Sequence, residues 1–188
     1  MRKKLSEMTI EELWDLFPIF LVEHRERWTD DYKEVETELL NLLKDCGYSR
    51  INHIGSTAIS NIWAKNIIDV LVEIPTGKNI ENVAEIMKQN GYIVMSADSR
   101  RISLNKGYTE DGFADKVYHI HLRYVGDNDE IYFRDYLNEY ADIAKEYEAL
   151  KLNLWKQYEH NRDAYTEAKT DFIKQWTMEA RRKYGNRY

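Results

Sequence analysis

Three groups of residues in this 188-residue chain have the types and spacing to do chemistry. The first is Gly55-Ser56-Thr57. Backbone amides in a glycine turn ahead of a helix hold phosphate oxygens, and the hydroxyls add donors. The same tripeptide also reads as a tight turn whose Ser56 or Thr57 caps a short helix, expected from about Thr57 to Ala64. The second is Asp69, the single Asp of an apolar run from Asn66 to Ile74. An ionised carboxylate buried without a partner costs several kcal/mol. Asp69 is therefore expected at the strand's edge or facing a cation, with the Gly55-Ser56 turn as the anion site beside it. The third is His119-x-His121. In a strand both imidazoles point to one face, and a neighbouring strand lies only ~4.8 Å away. If that neighbour carries Asp69, an Asp-His-His set results, which suits Zn, Mn or Fe better than Mg. The pair also reads as two half-buried histidines with hydrogen-bonded rings, or as a base or phosphate donors titrating near neutrality. His53 either joins them or faces away.

Elements must hold these residues in place. Thr9-x-x-Glu12 is a capping-box pattern and predicts a helix over about Ile10 to Leu16. Phe17 to Val22 is apolar, and Pro18 makes it an edge strand or an extended arm. Asp30 or Asp31 is expected to cap the next helix, which carries Val35, Leu39, Leu42, Leu43 and Cys46 on one face and ends at Gly47. Tyr48 to Ile54 reads as the first strand of a sheet. Asn66 to Ile74, rich in Ile and Val, reads as a strand buried on both faces. A helix through Ile80, Val83, Ala84, Ile86 and Met87 ends at Asn90-Gly91, and Tyr92 to Met95 is a third strand. Arg101–Leu104 and Val117–Tyr124 are expected to pair antiparallel, joined by a loop from Lys106 to Lys116 long enough to act as a lid. From Glu130 onward the periodicity is helical, with a break expected near Asn138 and a last helix over about Asp163 to Lys183. The aromatic residues concentrated after Tyr108 are read as core, given the area such rings bury.

Further patterns join the first three. Ile54-Gly55-Ser56-Thr57-Ala58 is followed by Ala64-Lys65-x-Ile67-Ile68-Asp69, then Arg101-x-x-x-x-Lys106 and His119-x-His121. Phe133-Arg134-Asp135-Tyr136-Leu137 and Tyr165-Thr166-x-x-Lys169-x-x-Phe172-Ile173 complete the set. In this order they resemble the GrpB family, a branch of the nucleotidyltransferase-fold superfamily, over roughly Trp28 to Ile173. The resemblance implies an α+β fold with a nucleotidyltransferase-like mixed sheet of four to six strands, flanking helices and a helical C-terminal region. It implies one domain over 1–188, with the sheet core at about 28–128 and the helical part at 129–183. It also implies a nucleotide or phosphorylated small molecule as ligand, held by Gly55, Ser56, Thr57, Lys65, Arg101 and Lys169. Asp69 and His121 would be catalytic. Asp69, His119 and His121 would bind a divalent metal, Mg or Mn or else Zn, for nucleotidyl transfer.

One departure stands out. Superfamily enzymes place a second carboxylate two residues after the first, and this chain has Leu71 there. Glu73 cannot substitute, because residues four apart in a strand are ~13 Å apart and paired catalytic metals only ~3.5–4 Å apart. Glu73 is assigned a salt bridge or a rim position. Arg100, Lys106 and Arg134 are further basic candidates, each equally readable as a surface charge or an ion-pair member. The alternatives to a nucleotidyltransferase are a degenerate nucleotide- or phosphate-binding module and an interaction scaffold built on the Tyr-rich helices.

Composition sets the outer bounds. With 32% charged and 43% apolar residues the chain reads as soluble and globular. No apolar run approaches the ~20 residues of a membrane span, and the basic start Met1-Arg2-Lys3-Lys4 lacks a signal peptide's apolar core. The single cysteine, Cys46, makes no internal disulfide and suits the cytoplasm. A net charge of −6 argues against sequence-independent binding to DNA or RNA, while leaving room for a compact basic pocket.

Overall fold

A computed structural model describes residues 3–188, so Met1 and Arg2 of the basic start lie outside the described residues. A five-stranded sheet forms the centre, with strands β1 (Arg50–Ile54), β2 (Ile68–Ile74), β3 (Ile93–Ala97), β4 (Arg101–Thr109) and β5 (Gly112–Tyr124) in the order β1-β2-β5-β4-β3. The sheet is mixed: β2 and β5 are parallel, and the remaining pairs are antiparallel. The apolar run thus becomes an interior strand, hydrogen-bonded on both sides.

Alternation divides the sheet's two faces. Ile68, Val70, Val72 and Ile74 on β2, with Tyr118, Ile120 and Leu122 on β5, pack into one core beneath α2 (Arg27–Leu43) and α3 (Ile80–Gln89). Val35, Leu39 and Leu43 of α2 are buried in that core, as their spacing predicts. The odd-numbered residues Asp69, Leu71 and Glu73, and His119, His121 and Arg123, therefore face the other side. There the C-terminal helices close over them: α4 (Asp129–Glu139), α5 (Ala141–Tyr158), α6 (Arg162–Glu167) and α7 (Thr170–Tyr184). Their aromatic residues, among them Tyr132, Phe133, Tyr136 and Tyr147, form a second core with Ile59 and Ile62.

Helix α1 (Ile10–Leu16) starts at Thr9, whose hydroxyl accepts from the Glu12 amide while the Glu12 carboxylate accepts from the Thr9 amide. Phe17–Val22 is an extended arm: Val22 bridges to Ala64, the Ile19 amide donates to the Glu159 carbonyl at 2.8 Å, and Phe17 packs on Tyr108 and Phe113.

Several expectations are corrected. No helix runs from Thr57 to Ala64; one 3-10 turn, Ser56–Ala58, is followed by irregular chain that leads to the bridge. Asp30 and Asp31 do not cap α2, which begins a turn earlier at Arg27. The stretch Lys106–Lys116 is not a lid: β4 and β5 continue through a register shift into a hairpin that turns at Glu110-Asp111. The C-terminal helical pattern breaks at Tyr140 and again at Ala168-Lys169, so the single last helix is two.

Candidate functional site

The odd-numbered face of β2 and β5 floors a cavity of about 600 Å³ that the C-terminal helices roof. Parallel pairing sets Asp69 opposite His119 and Leu71 opposite His121. Asp69 Oδ1 lies 3.4 Å from His119 Nδ1 and 3.1 Å from His121 Nε2. Asp69 is thus not at an edge but in the floor, between two imidazoles. Burial tends to raise its pKa, and the hydrogen bonds from the two histidines outweigh burial and hold the carboxyl well below the usual range. His119 is pulled down by burial, with Asp69 opposing.

The glycine turn sits directly on this carboxylate. Gly55 has φ +71°, and a Cβ there would fall 2.5 Å from Asp69 Oδ2. Only glycine lets the chain close over the acid. Ser56 lines the cavity with Gly55 and meets the Tyr147 phenol. Thr57 is buried, donates its hydroxyl proton to the Ile67 carbonyl at 3.2 Å, and contacts His53 Nε2 at 3.0 Å. Its side chain is committed to the turn, which leaves the backbone of the turn and Ser56 facing the cavity. His53 stacks on Tyr32 with ring centroids 4.7 Å apart and stays outside the Asp69 group. Burial pulls its pKa down to about 4.

Four of the cavity's cations are shielded from solvent and come from separate places in the chain, Lys65, Lys151, Arg162 and Lys169, while Arg101, Lys174 and Arg181 line it as exposed residues. The neighbours of the shielded four are rings and hydroxyls. Lys65 and Lys169 lie 5.8 and 4.2 Å from the Tyr165 ring, and Lys151 lies 4.8 Å from Tyr147 and bonds the Trp63 carbonyl. Burial pulls the pKa of Lys65 and Lys151 down to about 7 and that of Lys169 to about 8, and mutual repulsion adds to it. Arg101, also expected at the site, stands at the rim, where its Nε and Nη2 hold the two oxygens of Asp127 at 2.7 and 2.6 Å. Lys106 pairs with Glu38 away from the cavity, and Arg134 pairs with Asp135 and donates to the His53 carbonyl.

Arg162, Lys151 and Tyr108 were not singled out by sequence reasoning. Lys151 left a signal: it falls among Tyr147 and Leu154 on the buried face of α5, where a lysine is out of place. Arg162 and Tyr108 left none, because the first opens a six-residue helix and the second lies in the stretch read as a loop.

A pair of Mg²⁺ ions does not fit. Leu71 at the second acid position is fully buried in an apolar cluster with Ile54 and Ile131. Glu73 is fully buried too, bound by Arg50 at 2.7 Å and by Asn128 at 3.1 Å, so the salt bridge holds and the rim position does not. Among the described residues, no group of three or more His, Cys, Asp or Glu is arranged to hold a metal ion.

A mixed sheet with a glycine turn above an acid on an interior strand and helices over both faces is a nucleotidyltransferase-like fold, and comparison with solved structures agrees. The Cid1 poly(U) polymerase, solved bound to MgATP, superposes with a TM-score of 0.53 at 11% identity, over 85% of this chain and 52% of that one. At that identity the likeness is one of fold. The chain belongs to the GrpB family: the family profile described as GrpB protein matches residues 18–179. The GrpB structure from Enterococcus faecalis superposes with a TM-score of 0.74 at 30% identity, over 88% of this chain and 99% of that one. The glutamate-rich protein GrpB of Alkalihalophilus pseudofirmus is 35% identical over 161 residues, 82% of this chain and 91% of the relative. The UPF0157 protein YqkA of Bacillus subtilis is 30% identical over 185 residues, and there this chain spans 53% of the relative's length. No helix among the described residues is long and apolar enough to cross a membrane.

Proposed function

We propose that the cavity binds a nucleotide or a phosphorylated small molecule, with the phosphates over the Gly55-Ser56 turn and against Lys65, Lys169 and Arg162. The observation that carries this reading is the convergence of four shielded cationic side chains on one cavity whose sheet floor holds Asp69, already engaged by two histidines, with Asp129, paired to Arg181, and Glu130 lining it elsewhere. Cations gathered in a partly dry site repel one another, and such an arrangement is useful when an anion fills it. Lys151, bonded to the Trp63 carbonyl, adds charge from the wall rather than a direct contact. The Mg, Mn or Zn ion that the family resemblance implies is not required by this reading, since the side chains supply the positive charge.

The test is a melt screen with ATP, GTP, CTP, UTP and inorganic pyrophosphate. At 100 times its Kd a ligand stabilises by ~2.7 kcal/mol, so the right class gives a clear rise in melting temperature. A Lys65→Met, Lys169→Met double variant should lose that rise. No shift with any of these ligands counts against the reading.

A further inference from the structure

The contacts on the outer sides of the two site histidines fix where their protons lie. His119 Nε2 is 2.8 Å from the Tyr108 hydroxyl and 3.4 Å from Arg162 Nη2. Arg162 Nη1 donates to that same hydroxyl at 2.9 Å. A guanidinium can only donate. With Arg162 facing both the hydroxyl and the ring nitrogen, Tyr108 accepts from Arg162 and passes its own proton to His119 Nε2. Nε2 is thus an acceptor, and the His119 proton sits on Nδ1, aimed at Asp69 Oδ1. The second ring repeats the pattern with another arginine. His121 Nδ1 lies 3.5 Å from Arg123 Nη2, so Nδ1 accepts and the proton sits on Nε2, again aimed at Asp69. Arg123 is itself buried, held by the Leu122 carbonyl at 2.9 Å.

The fold goes out of its way to bring Tyr108 to this place. Asn105 pairs with His119 across the β4–β5 ladder, and by simple alternation residue 107 would share its face while 108 pointed away. A register shift between Lys106 and Tyr108 reverses this. Gly107, at φ +94°, makes the shift possible: a Cβ there would lie 2.3 Å from the Lys116 carbonyl oxygen. As a result the Tyr108 ring stacks on His119, with centroids 5.9 Å apart.

We propose that Asp69, His119 and His121 form a metal-free hydrogen-bonded cluster in which both imidazoles donate to Asp69, and that Tyr108, Arg162 and Arg123 are the positioning residues that lock this proton arrangement. A metal at this spot needs lone pairs on His119 Nδ1 and His121 Nε2, the two nitrogens that carry protons. Moving those protons outward would aim N–H groups at arginine N–H groups. The cluster therefore holds its place as a fixed dipolar floor, and a phosphate ligand meets side-chain cations instead of metal. This last step rests on the phosphate-binding reading; the proton arrangement does not.

Nitrogen-15 imidazole NMR on the histidine-labelled full chain separates the two. His119 should appear as the Nδ1–H form and His121 as the Nε2–H form. Adding Mn²⁺ or Zn²⁺ to a few equivalents should leave both rings unbroadened and unshifted. In Tyr108→Phe, which keeps the ring, and in Arg162→Met, His119 should lose its single tautomer while His121 keeps its own. Opposite tautomers in the wild type overturn the proposal, as does stoichiometric metal binding at either ring. In parallel, the ATP and pyrophosphate melts are run with EDTA and with Mg²⁺; the expected stabilisation is equal within twofold in apparent Kd. A shift that needs Mg²⁺ overturns the metal-free step. No shift in either buffer, with the tautomers as expected, overturns the phosphate-binding reading and leaves the cluster standing.

Discussion

At the scale of single residues, Asp69 is the hinge of the site, and its contacts settle which of two outcomes its substitution produces. A cation-binding acid would leave melting unchanged on replacement by Asn, whereas a structural acid would not. Asp69 accepts from two imidazoles, one buried and one half-buried, and lies under Gly55, so Asp69→Asn should cost about 1.5–3 kcal/mol, the range for hydrogen bonds to a charged group. Urea unfolding measures this, and an unchanged midpoint refutes it. The pH dependence follows from the depressed carboxyl. Its stabilisation is present above the unfolded value of about 3.9 and is lost as pH falls towards the lower folded one. Below about pH 4, then, the wild type should lose more stability than Asp69→Asn. The lysines give a slope of the same sign at higher pH. Lys65 and Lys151 at about 7 and Lys169 at about 8 have folded values below the unfolded lysine value. Between those values and about 10.4 the unfolded chain binds more protons, so the unliganded protein should gain stability from pH 7 to 9.5. An anion in the cavity pulls protons back onto the same amines, so phosphate affinity should fall over that same range. Chemical denaturation and ligand titration at several pH values check both slopes, and Lys65→Met, Lys169→Met should flatten each.

At the scale of elements, two short backbone features matter more than any helix. The Gly55 turn is one. Gly55→Ala forces a Cβ against Asp69 Oδ2 at 2.5 Å and a left-handed φ on a residue that resists it. A loss of roughly 1–3 kcal/mol with unchanged far-ultraviolet circular dichroism is expected. Wild-type stability in that variant would mean the turn can swing off the acid. The β4–β5 hairpin is the other. Its pairing resumes past the bulge and runs to Thr109 and Gly112, so Lys106, Tyr108, Thr109, Gly112 and Phe113 should as a group exchange more slowly than an open loop would. Uniformly fast exchange across this stretch would restore the lid that the sequence suggested.

At the scale of the whole molecule, the cavity belongs to neither half alone. The sheet gives Asp69 and the histidines, the irregular chain after the turn gives Lys65, and the C-terminal helices give Lys151, Arg162 and Lys169. Burying these cations together costs stability that Asp69 and Glu148 offset only in part. Lys169→Met should therefore raise the melting temperature of the unliganded protein while weakening its response to ligand. If melting falls instead, Lys169 is holding α6 and α7 through its place over the Tyr165 ring.

The sequence by itself determined the parts whose signal is local. Capping at Thr9, the buried faces of α2 and α3, the apolar run of β2 and the alternation at His119 and His121 all depend on neighbours within a turn or two. The motif order carried the family as well. Where the sequence misled, the deciding contact lay far along the chain. The bulge at Gly107 is invisible to a two-residue period, so a long hairpin read as a loop. The helix expected after Thr57 gave way because Ala64 pairs with Val22 instead. Asp69 is expected at the strand's edge or facing a cation because its histidine partners come from a strand fifty residues on, set beside it only by the parallel β2–β5 pairing. Arg162 and Tyr108 carry no local pattern at all. Tertiary structure alone brings them to His119, because a charge or a hydroxyl gains its role from what faces it, and what faces these two comes from distant segments of the chain.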